Sequence, residues 1–116
     1  MIPSISLQQI IDANFDETRM PIESMRLVAN ARNEDCKLAR MHFIYTTRII
    51  LGEFAGSNAM AAFLNERKII KIRQMYEHAI VMFEHDHKFR STQMRILQLL
   101  GLSFKWSGAR LDVWKE

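Results

Sequence analysis

The chain has a single cysteine, Cys36, among its 116 residues, so no intrachain disulfide can form and the fold must rest on packing. That scarcity fits a reducing compartment, and a cytoplasmic location is expected. Prolines number two and glycines four, and none of either falls between residues 57 and 100. The two residues that most often interrupt helices are therefore missing from a long central stretch. Long apolar runs are missing too. Ala59 to Leu64 and Ala79 to Phe83 are short against the roughly 20 residues that span a bilayer, so no membrane segment is expected. The first twelve residues show neither a basic region nor an apolar core of the signal-peptide kind, so no secretory leader is expected. Phosphate-binding glycine loops of the GxGxxG or GK[ST] type do not occur.

What is present is globular in character. With 48% hydrophobic residues, 25% charged residues and a net charge of +3, the chain has enough apolar mass to order itself, and residues 1–116 are expected to form one helical domain. The charge is uneven. Residues 1–58 hold six Lys or Arg against seven Asp or Glu, whereas residues 59–116 hold ten against six. Eight methionines are many for this length and suit either irregular core gaps or an adaptable binding surface.

The apolar spacing is helical over most of the chain. Ser6 with Gln9 has the form of a capping box, which predicts a first helix over 7–14, followed by a polar connection from Phe15 to Met20. Pro21 suits the first position of a second helix reaching Ala31. Asn33 as N-cap, with Glu34 and Asp35 in the first turn, predicts a third helix from Glu34 to Phe54, ended by Gly52 and Gly56. Its apolar residues fall on two sides: Leu38, Met41, Tyr45 and Ile49 on one, Phe43, Ile50 and Phe54 on the other. A helix apolar on two sides sits between others, which makes this the expected central helix. Ser57 or Asn58 caps a fourth helix, read from Met60 to Phe89 and roughly 45 Å long at 1.5 Å per residue. It carries a wide apolar stripe and a polar stripe of Arg67, Lys71, Gln74, His78 and His85. The pattern breaks at His85 to Lys88, and Ser91 or Thr92 caps a fifth helix that Gly101 stops. Alternation then replaces helical period. Phe104 and Trp106, then Leu111 and Val113, flank Ser107-Gly108 and predict a small β-hairpin; the competing reading is an irregular tail pinned by two tryptophans. The fold expected is mainly α, a compact five-helix bundle around two longer helices, closed by that hairpin.

Catalytic and metal motifs are weak. His78 and His85 share a stripe but stand seven residues apart, about 10.5 Å along a helix axis, where one metal calls for i and i+4. His85 and His87 fit better as cations at a helix C-terminus. Cys36 lies in a first helical turn, but Glu34 and Asp35 oppose thiolate formation. No enzyme activity, metal or cofactor is expected.

Two binding readings remain. The leading one is a non-enzymatic regulator or adaptor that binds another protein, as a homodimer, through Leu64, Met75 and Met82 and the tail tryptophans Trp106 and Trp114. The alternative is nucleic-acid binding in a winged-helix-like C-terminal half. There Arg67, Lys71, Lys88, Arg90, Arg95 and Lys105 would contact phosphates, with Thr92 to Leu100 as recognition helix and Gln93, Arg95 and Gln98 as its polar readers.

Overall fold

Ser6 opens the first helix with both halves of a capping box. Its Oγ accepts from the Gln9 N–H at 3.2 Å, and its own N–H donates to Gln9 Oε1 at 2.7 Å. The structure, a computed structural model, describes residues 4–21, 34–52, 69–108 and 110–115. Within these, α1 spans Leu7–Thr18, a turn beyond the expected end at residue 14. Two tertiary contacts lie at the start of that extra turn and within it. Buried Asn14 donates from Nδ2 to the Ala39 carbonyl at 3.4 Å, and Glu17 pairs with Arg95 at 3.1 Å. Arg19 then ends the helix in a left-handed conformation with φ 59°, its N–H bonded to the Phe15 carbonyl. The second predicted helix, from Pro21 to Ala31, falls almost wholly outside the described residues, as do Asn33 and Gly56.

Helix α2, Glu34–Leu51, is the centre of the fold. Ala39 through Thr47 are buried without interruption, more than two full turns, so the helix is covered on every side there. It packs against α1, against α3 (Ile69–His85) and against α4 (His87–Leu99). Gly52 follows it with φ +83°, a conformation open to glycine at little cost.

The fourth predicted helix is not continuous to Phe89. Asp86 separates α3 from α4 in one residue: its N–H bonds to the Met82 carbonyl at 2.8 Å, closing α3, while its backbone is extended at φ −112°, ψ 110°. Its carboxylate accepts from the Phe89 N–H at 3.0 Å and so caps α4. Capping by Ser91 or Thr92 is thereby corrected. Asp86 supplies an N-cap acceptor five residues earlier, and the chain turns there because a side-chain carboxylate can satisfy a helix N-terminus. Residues 57 to 68, with Leu64 and Arg67, lie outside the described residues.

Gly101, at φ +74°, turns the chain out of α4 into the hairpin, β1 (Leu102–Trp106) and β2 (Leu111–Lys115). The strands pair antiparallel, with Phe104 opposite Val113 and Trp106 opposite Leu111. Alternation puts Leu102, Phe104, Trp106, Leu111 and Val113 on the face toward the helices and Ser103, Lys105, Asp112 and Trp114 on the outer face. The hairpin reading holds, and the irregular-tail reading does not. The architecture is mainly helical with a two-stranded sheet at its C-terminal end; among the described residues there are four helices, and the second of the five expected falls almost wholly outside them. None of these helices is long and apolar enough to cross a membrane.

Two neighbouring apolar clusters form the core. Ile10, Phe43, Ile44, Ile50, Ile72 and Leu97 centre one; Met41, Tyr45, Ala79, Phe83 and Phe89 form the other. At roughly 1.5–3 kcal/mol for each large side chain removed from water, these clusters are the main stabilising term.

Candidate functional site

Two clefts flank α2. The first lies between α2, α3 and the hairpin and encloses about 420 Å³. Tyr45 and Ile49 line it from α2, Tyr76, Ile80, Phe83 and Glu84 from α3, and Trp106, Leu111 and Val113 from the strands. Its aromatic wall is tightly organised. Phe83 stacks on Tyr45 with ring centroids 5.4 Å apart and meets Trp106 edge-on at 4.9 Å. The Arg48 guanidinium covers the Tyr76 ring at 4.4 Å, and Arg90 stands 5.4 Å from the Trp106 ring. Burial pushes the Tyr45 phenol above the ordinary tyrosine range, helped by Tyr76 and Glu84, so it stays neutral and can donate a hydrogen bond. At the mouth, Arg110 pairs with Asp112 at 2.8 Å.

The second cleft lies between α1, α2 and α4 and encloses about 380 Å³. His42 is its deepest polar group, 4% exposed. One face of its ring stacks on Phe89, with centroids 3.9 Å apart and planes 13° from parallel. Nδ1 is 2.8 Å from Gln93 Oε1, and Gln93 Nε2 donates to Thr46 Oγ1 at 2.6 Å. Because the amide nitrogen is spent on Thr46, the oxygen facing His42 is an acceptor. Nδ1 therefore carries the proton and Nε2 the lone pair. Burial lowers the imidazole pKa to about 4 against the opposing pull of the Gln93 bond and Glu17, with Arg95 lowering it further, so the ring is neutral at neutral pH.

Of the residues expected at a protein interface, Leu64 lies outside the described residues, while Met82 and Trp106 pack against the same core cluster. Met75 is half-buried against the first core cluster and Met82 against the second. Trp106 forms part of the aromatic wall, whereas Trp114 is 44% exposed on the opposite face of the hairpin. The phosphate-binding candidates are dispersed. Arg90 caps the C-terminal end of α3, donating to the Phe83 carbonyl at 2.8 Å and the Glu84 carbonyl at 2.7 Å. Arg95 is engaged by Glu17 and by Thr92 Oγ1, both at 3.1 Å. Lys71, Lys88 and Lys105 are exposed, on α3, on α4 and on the outer hairpin face. Gln93, read as a polar reader of the recognition helix, is instead fully buried; Phe89, Ile96 and Leu97 around it place it on the apolar face of α4. That placement was the available signal for the His42–Gln93–Thr46 chain, since a polar residue at the centre of an apolar stripe needs a buried partner.

His78, His85 and His87 are exposed, and His85 Nε2 approaches Glu84 only to 4.0 Å. No group of three or more His, Cys, Asp or Glu converges on a metal site among the described residues. Cys36 is buried, its thiol 3.4 Å from Met20 Sδ. The chain matches no protein-family model, no curated protein and no solved structure.

Proposed function

We propose that the chain is a non-enzymatic regulator or adaptor that binds another protein, and that the cleft between α2, α3 and the hairpin receives an apolar side chain of that partner. One observation carries the reading: an open cleft of about 420 Å³ whose wall is four aromatic rings and several aliphatic side chains, with charged groups at its rim. Large rigid rings around a hollow, rimmed by polar groups, are the composition of interface anchor sites. Homodimerisation belongs to a different surface. Ile70 and Val81 are 62% and 51% exposed and lie eleven residues apart, within about 20° of each other on the outer face of α3. The phosphate-contact reading has less support, because Arg90 and Arg95 are already bound within the chain.

A photo-crosslinking residue at Val113, in the cleft, and one at Lys105, on the outer hairpin face, test the proposal in cells expressing the chain. The expected outcome is a defined protein adduct from position 113, suppressed by Tyr76→Ala, and none from position 105. Adducts from 105 alone, or duplex DNA binding that falls steeply with salt, would favour another surface. Sedimentation of the V81E variant checks the dimer: a dimer that becomes monomeric is expected, and a monomeric unmodified chain removes that part of the reading.

A further inference from the structure

The His42 cleft has features that protein anchoring does not use. Its volume of about 380 Å³ lies within the range of small-ligand sites, roughly 300–1,000 Å³. The Nδ1 edge of the ring faces Gln93, which is not part of the wall. His42 itself lines the cleft, and Nε2 is the ring nitrogen left over for a ligand there. The ring is 4% exposed and its Nδ1 edge is held by Gln93, so a donor bound in the cleft would meet an acceptor already fixed in place.

The rest of the wall selects the donor. Carboxylates reach it from three elements: Glu17 from α1, Asp35 from α2 and Asp86 from the α3–α4 junction. Arg19 and Lys88 are the cations that line it, and Arg95 lies behind Glu17. Glu17 and Asp86 each spend an oxygen on an internal donor, Arg95 Nε and the Phe89 N–H, which leaves further lone pairs on both carboxylates. The Thr18 hydroxyl donates to the Asn14 carbonyl and so does not compete for His42, while the Thr92 hydroxyl accepts from Arg95. Phe89, Leu38 and Met20 supply an apolar floor. The wall is rich in acceptors, with three carboxylates against the two cations that line it and Arg95 paired to Glu17, a setting that favours a donor with an apolar body over an anion.

We propose that the cleft between α1, α2 and α4 is a binding site for a small amphipathic amine, whose N–H donates to His42 Nε2 and whose apolar part lies against Phe89 and Leu38. Depressed basicity of the ring keeps Nε2 an acceptor at neutral pH.

Nitrogen-detected NMR of the histidine side chains of the full chain tests this, with benzylamine, benzyl alcohol and benzoate as probes. Benzylamine is expected to move the His42 Nε2 resonance saturably, benzyl alcohol to bind roughly tenfold more weakly, and benzoate not to bind. His42→Phe keeps a ring against Phe89 and removes the acceptor; benzylamine binding, read on the Thr92 amide, is expected to be lost. Asp35→Asn, at an exposed position, tests the charge preference even if the first variant misfolds, and a severalfold weakening is expected. Benzyl alcohol or benzoate binding as tightly as benzylamine overturns the proposal. So does a complete lack of saturable shift, or benzylamine binding that Asp35→Asn leaves unchanged.

Discussion

The two clefts share α2 as a common wall and differ in what holds that wall in place. On the hairpin side, Tyr45, Phe83 and Trp106 interlock by ring packing. On the α1 side, His42 is fixed by a two-bond chain through Gln93 to Thr46. Ring packing is broad and tolerant of shape, because dispersion and burial are non-directional. A buried hydrogen-bond chain is directional and unforgiving, because each lost partner leaves a desolvated group behind. The same helix thus offers one surface suited to varied apolar side chains and another suited to a single donor geometry.

The largest expected effect probes the aromatic side. Phe83 is 1% exposed and touches both Tyr45 and Trp106, so Phe83→Ala should cost about 3–5 kcal/mol in chemical denaturation. Tryptophan emission should shift to the red as Trp106 gains water. The His42 resonances should stay in place; if they move as well, α2 couples the two clefts and the contrast between them fails.

Next is the response of the polar side to acid. The folded-state pKa of His42, about 4, lies below the ordinary 6.5. The folded state therefore binds fewer protons than the unfolded one between those values. The contribution of the neutral ring is complete above pH 6.5 and is lost as pH falls toward 4, a change on the order of 3 kcal/mol. Stability curves for the chain and for His42→Gln should converge as pH drops through this window; parallel curves would mean that the ring is charged without penalty.

Gln93→Leu is the smallest and sharpens the contrast most directly. It keeps the volume and strands the Nδ1–H of His42 and the Thr46 hydroxyl, and a loss of about 1–3 kcal/mol is expected with the aromatic cleft unchanged. A neutral or stabilising result would show that the chain of hydrogen bonds is no stronger than apolar packing in its place.

Much of this architecture is legible along the chain because its signals are local. The Ser6 capping box, the two-sided burial of α2 and the glycine turn at Gly101 all depend on residues within a few positions of one another. The alternation of Phe104, Trp106, Leu111 and Val113 likewise fixed a face before any contact was known. The end of α1 was not legible, since Asn14 and Glu17 are held by Ala39 and Arg95, 25 and 78 residues away. The cap of α4 was expected at Ser91 or Thr92 instead of Asp86, because all three side chains can serve as caps and only the turn of the chain puts the Asp86 carboxylate on the Phe89 N–H.

The candidate sites divide the same way. The sequence by itself determined that the chain is mainly helical, that α2 is central and that a hairpin closes the C-terminal end, because periodicity and capping act over a few residues. Only the tertiary structure decided that Trp106 faces a cleft while Trp114 faces away, that Arg90 and Arg95 are bound internally, and that His42 meets Gln93 across 51 residues. Those pairings depend on how whole helices pack, and packing brings together residues whose separation along the chain carries no trace of their contact.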